Sequence, residues 1–404
     1  MNNNDLKTSF NNIAVGKRAA IYTPYDLMPG GGEKYLLTIA EYFLKEGCKV
    51  SLLFDEIYSK LRLKQMENEL GVRLDGATAY AYSEAVKKIK AGEEKFDIFV
   101  SMGNSLTPWI NPLGNHNVYI CQFPFPQDED WIIENSATLK KYDEIIVYSD
   151  FVMERYKNLL KKYGLPDTRV SVVYPPCRSQ SGLVFEELKK LPDTKPADKI
   201  IILTVGRFFS EGHCKRQDFL IESFIEMLPS ISYLNVELHV AGGIHPTKDG
   251  RDFFTKCKNM AQDFNNIFLY GNIDAHSLKE LYFNAHIYWH AAGINVDSSA
   301  HPEMLEHFGI TVVEAMSAGA IPIVVNKGGP AEIVRNGIEG FCFNSKEELI
   351  GLTVDAVKKI TADRNIGKKS KLESLVENSL LRATDFTKEK FYSRLESIFP
   401  NKKI

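Results

Sequence analysis

Glu306 and Glu314, with seven residues between them and Gly309 in the interval, are the side chains of this 404-residue chain whose types and spacing best suit chemistry. They lie in the segment HPEMLEHFGITVVEAMSAGAIPIVVNKGGPAEIVRNGIEGF, residues 301–341. The pattern after Gly309 predicts a helix running to Ser317, with Gly319 as its carboxyl-terminal stop. At the mouth of such a helix the amides of Phe308, Gly309 and Ile310 are free and share the positive end of the dipole, which suits phosphate or sugar oxygens. Glu314, about one turn further in, can accept two hydrogen bonds from a vicinal diol such as a ribose. Glu306, in the preceding loop, can do the same for a second ring. The competing reading is a solvated helix with two ordinary surface glutamates.

Other groupings carry less. TPYDLMPGGGEKYL (Thr23–Leu36) places Gly31 and Gly32 just before a helix start, where backbone can approach backbone or phosphate without a Cβ in the way. Asp55 follows at the end of the next strand and imitates a dinucleotide site, but the spaced Gly-x-Gly-x-x-Gly of an NAD-dependent enzyme is missing. Asp128–Glu129–Asp130 is a D-x-D after a Pro-rich loop, which reads as a solvated turn and not as a metal ligand set. His286 and His290, with His301 beyond, have the spacing of a zinc face only if they sit on a helix; AHIYWHAAG reads as a strand, so no metal is expected, and His290 is placed near a sugar pocket.

Strand–helix alternation is what must position these groups. In the amino-terminal half RAAIYTP, CKVSLLF, FDIFVSM, NVYICQF, EIIVYS and SVVYPP read as strands, and Tyr35, Leu36, Ile39, Ala40 and Phe43 share one helical face of Glu33–Gly47. A polar stretch, Glu186–Lys199, reads as a linker, after which the alternation restarts with KIIILTVGRF, NVELHVAGG, NIFLYGN and AIPIVVN. The expectation is two doubly wound α/β domains, residues 1–184 and 185–384, with a ligand cleft at the carboxyl ends of both sheets. Phe386–Phe399 reads as an amphipathic helix.

Composition narrows the class. Lys plus Arg number 49 against 52 Asp plus Glu, a formal charge of −3, so neither a dedicated nucleic-acid binder nor an acidic disordered chain is indicated. The six cysteines, without a Cys-x-x-Cys pair, read as buried small hydrophobes in a reducing compartment. The first residues lack the apolar core of a secretory signal, and a cytoplasmic protein is expected. Ile98–Gln127 is uncharged but holds four prolines and two glycines, which no spanning helix tolerates without neighbours. Tyr156–Gly164 and Val86–Gly92 mix bases with apolar residues; they are read first as solvated faces, and second as peripheral contacts with an anionic membrane.

The string Glu306–His–Phe–Gly–Ile–Thr–Val–Val–Glu314, followed by AMSAGAIPIVV and GGPAEIV, resembles the signature of retaining GT-B glycosyltransferases of family four. The resemblance covers most of the chain and is looser over residues 50–140. It implies two Rossmann-like domains, the second holding a nucleotide-diphosphate sugar and the first the acceptor, with the helix Phe386–Phe399, in a tail of about 385–404, crossing back to join the first. By resemblance Glu314 holds the nucleotide ribose and Glu306 contacts the donor sugar. VGRFFSEGHCKRQDFLIESF (Val205–Phe224) is similar to the family's strand-end Gly-Arg followed by a Lys, which assigns Arg207, a planar fork, and Lys215, a point charge, to the diphosphate leaving group. Arg216 reads as the solvated neighbour of Lys215. The Gly-rich loop with Gly31 and Gly32 also resembles its family counterpart.

One departure stands out. Where related enzymes carry a His after the strand NVYIC, this chain has Gln122, an amide that donates and accepts hydrogen bonds but carries no proton at neutral pH. Phe123 and Phe125 are read as wall packing or as the floor for an acceptor sugar. The resemblance therefore implies a metal-independent retaining transferase of a hexose, mannose first, from a nucleotide-diphosphate sugar such as GDP-mannose to a glycan or lipid-linked acceptor in surface polysaccharide or lipopolysaccharide synthesis. The alternative is a GT-B scaffold without catalysis, kept as a binding or partner subunit.

Overall fold

The described residues, 16–28, 30–123, 125, 135–177, 195–366 and 372–399, fall into two units of this computed structural model. The first takes in the chain up to Tyr148, then Val152–Pro176 and the residues from Phe391 on; the second takes in Ser149–Phe151 and Cys177–Lys390. Asp128–Glu129–Asp130 and residues 186–194 of the linker stretch lie outside the described residues.

The first unit is built on a parallel sheet of seven strands: β1 (Arg18–Thr23), β2 (Lys49–Phe54), β3 (Thr78–Ala81), β4 (Phe96–Gly103), β5 (Gly114–Cys121), β6 (Glu144–Val147) and β7 (Arg169–Val172). Their order is β3-β2-β1-β4-β5-β6-β7, so the chain winds outward from β1, returns, and winds the other way. Ile21 faces Leu52 on one side and Val100 on the other, both of them buried, which is why these strands read as unbroken apolar runs rather than as alternation. The uncharged stretch from Ile98 resolves into most of β4 and all of β5.

The helix Gly31–Lys45 buries the expected Tyr35, Leu36, Ile39, Ala40 and Phe43, and Leu37, Thr38 and Tyr42 as well. The additional face is covered from the end of the chain. The helix Lys388–Ile398 sets Phe391 5.0 Å from Tyr35 and Tyr392 5.4 Å from Tyr42, ring to ring, and Phe399 closes on Phe43 at 4.9 Å.

In the second unit six parallel strands, β8 (Ile200–Val205), β9 (Val236–Gly242), β10 (Ile267–Gly271), β11 (Ile287–His290), β12 (Ile321–Val325) and β13 (Phe341–Phe343), run in the order β10-β9-β8-β11-β12-β13. The winding direction again reverses beside the first strand of the unit, here between β8 and β11. Such a switch point leaves a crevice at the carboxyl ends of the two strands, because their connections depart to opposite sides.

β3 and β13 are the strands that periodicity does not reveal. Each is four residues or fewer, sits at a sheet edge with one neighbour, and is mostly half-buried, too short for either an alternating or a continuous pattern to register. Five of the six cysteines are buried and Cys342 is partly so. Among the described residues no helix is long and apolar enough to cross a membrane.

A buried lysine closes the base of the second unit. Lys195 Nζ donates to the carbonyls of Phe283 (3.0 Å), Ala285 (2.5 Å) and Ala318 (3.0 Å). These carbonyls end the helices Ala275–Asn284 and Ile310–Ser317, so one ammonium serves two helix carboxyl termini. Burial pulls its pKa down to about 7. Lys195→Met is expected to lower unfolding free energy by about 2–4 kcal/mol, because buried carbonyls lose their donor. Urea denaturation followed by circular dichroism measures it, and an unchanged midpoint would refute this role.

Candidate functional site

The second unit brings most of the candidate residues to its switch point. β8 ends at Val205 and releases Gly206 and Arg207; β11, its neighbour with Tyr288 opposite Leu203, ends at His290. Lys215 returns toward the same place because Gly206 has no side chain: a Cβ there would stand 2.5 Å from the Lys215 Cγ. Gln217, fully buried, fixes this turn by donating to the carbonyls of Gly206 (3.0 Å) and Arg207 (3.2 Å).

Lys215 Nζ and Glu306 Oε2 form an ion pair across 91 residues of sequence, each side chain 18% exposed. His290 Nε2 lies 3.4 Å from the same oxygen. Burial alone would raise the Glu306 pKa; the Lys215 charge and the His290 hydrogen bond outweigh it and hold the carboxyl well below its usual range. Burial in turn lowers the His290 pKa, so that ring is neutral at pH 7 and donates from Nε2. Oε1 of Glu306 has no protein partner among the described residues, which leaves one charged oxygen for a hydroxyl-bearing ligand.

The loop bearing Glu306 is held by its backbone. The Glu306 carbonyl accepts from the Gly329 amide at 2.8 Å, and the His307 carbonyl accepts from the buried Ser149 hydroxyl at 2.6 Å. Gly328, at φ +62°, and Gly329 pack directly on this loop, where a Cβ on either would run into the backbone of Glu306 or Phe308. This is the physical content of the Gly-Gly pair in GGPAEIV.

Gly309 takes φ +110° and caps the helix Ile310–Ser317. The amides of Gly309 and Ile310 meet no acceptor among the described residues, as expected for an open helix mouth. Phe308 is buried, its ring 5.4 Å from that of Phe386, so its side chain anchors the loop. Glu314 is half-buried and accepts a hydrogen bond of 3.0 Å from the Tyr282 hydroxyl. Burial keeps that phenol protonated. Neither glutamate is an ordinary surface residue.

Arg207 is exposed and makes no ion pair among the described residues. Arg216 is not the solvated neighbour that its position suggests: it is half-buried, bonding Asp218 and the Ile294 carbonyl. His286 accepts from the Ile201 amide at 3.1 Å and belongs to the core, while His301 is exposed and paired with Glu303. The loop that follows β9 and the turn that follows β10 are joined, with the Ile244 amide donating to Asn272 Oδ1 at 2.8 Å.

In the first unit Gly31 opens its helix, and Gly32 lies against Gln122, whose side-chain oxygen occupies the space a Cβ would need. The Gln122 amide donates to the Gly103 carbonyl at 2.9 Å, so the residue sits where β4 and β5 end. Phe123 and Phe125 contact one another edge-on at 5.1 Å, and Phe125 is buried, as wall packing requires.

Gln217, Tyr282, Ser149 and His213 are not legible in the sequence. The only local signal is the position of Gln217 and His213 beside Lys215.

Residues 186–379 match the model of the family "Glycosyl transferases group 1". The chain is 29% identical over 215 residues to the GDP-Man:Man(3)GlcNAc(2)-PP-Dol alpha-1,2-mannosyltransferase of Caenorhabditis elegans, covering 51% of this chain and 42% of that protein. The Dictyostelium discoideum protein of the same name is 30% identical over 272 residues, covering 66% and 48%. The chain thus spans less than half the length of these two relatives. A crystal structure of a glycosyltransferase from Rickettsia africae ESF-5 superposes with a TM-score of 0.67 at 18% identity, over 95% of this chain and 98% of that one, which establishes the common fold.

Proposed function

The chain belongs, through residues 186–379, to the glycosyl transferases group 1 family and has the GT-B fold, and on that premise we propose that it transfers a hexose, mannose first, from a nucleotide-diphosphate sugar with retention of configuration. The observation that carries the proposal is the convergence of Arg207, Lys215, Glu306 and the open amides of Gly309 and Ile310 at one strand switch point. Two cations and a helix amino terminus are what a departing diphosphate needs. A charged oxygen beside them is what the hydroxyls of the sugar need.

In this reading Glu314 holds the ribose diol, steadied by Tyr282, and Glu306 Oε1 takes a hydroxyl of the donor sugar. The acceptor, a glycan or lipid-linked saccharide, belongs to the first unit, where Gln122 supplies hydrogen bonds and no proton. The bond from the anomeric carbon to phosphate breaks as the acceptor oxygen attacks from the same face, and the acceptor proton passes to the departing phosphate oxygen. The protein positions both rings and stabilises the phosphate charge, with no enzymic nucleophile and no metal. Mannose and the lipid-linked acceptor are supported by the names of the two relatives, and a peripheral place at the cytoplasmic membrane face is part of the same proposal.

Thermal shift against GDP, UDP and ADP is expected to show one nucleotide stabilising the protein, since a ligand bound only by the native state raises its melting point. The matching sugar nucleotide, with and without EDTA, should then release free nucleoside diphosphate at equal rates. Tight nucleotide binding with no release would leave a binding scaffold; absence of both would overturn the proposal.

A further inference from the structure

Between Arg207 and Lys215 the chain carries His213, to which the transfer reaction assigns no part. Its half-buried ring lies 6.1 Å from that of His307, inclined at 30°, and meets Phe209 edge-on at 5.6 Å. Aromatic neighbours fix the ring plane, yet neither ring nitrogen has a hydrogen-bond partner among the described residues, and neither is sealed from solvent. The charges that act on this ring are those of Lys215, Glu306 and Arg207. An imidazole held in place with both nitrogens unused, among the cations assigned to a diphosphate, is a ligand contact waiting for its ligand.

We propose that His213 takes up one proton from solvent when a nucleoside diphosphate settles on Arg207 and Lys215, and then donates a hydrogen bond to a phosphate oxygen. This rests on the donor site at the switch point and adds to it a residue and a proton. Burial first, then Lys215 and Arg207, lower the pKa of this ring, with Glu306 opposing them, so the free protein carries it neutral at pH 7. His307 faces it across the ring contact, and His290 stands beyond Glu306, bonded to that carboxylate. An arriving diphosphate reverses the balance of charge and raises the pKa. Because the bound form then holds more protons, affinity for the diphosphate strengthens as pH falls from above the bound-state pKa toward the free-state value.

Calorimetry of the full chain with GDP, UDP and ADP, each alone, tests this at pH 6.5 to 7.5 in two buffers of different ionisation enthalpy. Wild type is expected to take up as much as about one proton per nucleotide beyond what His213→Gln takes up, and the variant to bind about 3–10-fold more weakly at pH 6.5, with a smaller gap at higher pH. Ionisation of the nucleotide itself is common to both proteins and cancels in the comparison. His213→Asn serves as the second variant, and the melting temperature of each checks that it is folded. Equal proton uptake in wild type and variants would overturn the proposal while leaving the donor site intact. No binding of any of the three nucleotides to wild type would overturn both.

Discussion

Lys215→Ala is expected to lower turnover by about two to three orders of magnitude and to weaken nucleoside diphosphate binding as well. The side chain lies at the switch point of the second sheet, supplies a compact positive charge, and is held over Gly206 by close packing. Its removal takes away stabilisation of the departing phosphate and strips Glu306 of its stronger partner. The carboxylate that remains is largely buried and, among the described residues, keeps only His290 as a hydrogen-bond partner. Breaking a buried pair from one side destabilises by about 3–5 kcal/mol, and the residual exposure of 18% places this pair toward the low end. Steady-state kinetics on protein whose melting temperature has been checked separates the effects. Near-normal transfer by the folded variant would sink the assignment.

Glu306→Ala should cost turnover by about two orders of magnitude or more, but with the opposite effect on nucleotide binding. In the unliganded protein the carboxylate occupies Lys215; once it is gone the ammonium is free for phosphate, so affinity for the nucleoside diphosphate holds or rises while turnover collapses. The contrast with Lys215→Ala distinguishes a sugar-binding carboxylate from a mere counter-ion. A further expectation follows from the shared ion pair: in the double variant the losses fall well short of their product, as for any two groups acting as one unit. Should Glu306→Ala weaken nucleotide binding as strongly as Lys215→Ala does, this division of labour between the two side chains would be wrong.

Most of the framework is legible in the order of residues alone. The buried strands declare themselves as apolar runs of four to eight residues, and the helix after Gly309 begins and stops where its glycines say. Legibility ends where patterns are too short, as in β3 and β13, or where a distant element alters burial. The helix Gly31–Lys45 shows one apolar stripe in its sequence, but Tyr42 lies outside that stripe and is covered by Tyr392 of the last helix, which no window of adjacent residues contains. Arg216 reads as solvated for the same reason, since its partner Ile294 lies 78 residues away.

What the sequence determined by itself is local: two sets of parallel strands with their crossovers, a glycine-capped helix mouth, and a string of residues that resembles the signature of a known family. Hydrophobic periodicity and turn chemistry act over a few residues, so they can be read in one dimension. What only the tertiary structure decided is which groups share an atom. Lys215 and His290 meet on one oxygen of Glu306, Ser149 holds a carbonyl 158 residues away, and the two ring nitrogens of His213 stand among the cations with no partner among the described residues. Those relations depend on strand order and on the place where the winding reverses, which bring loops together by their position in a sheet and not by their distance along the chain.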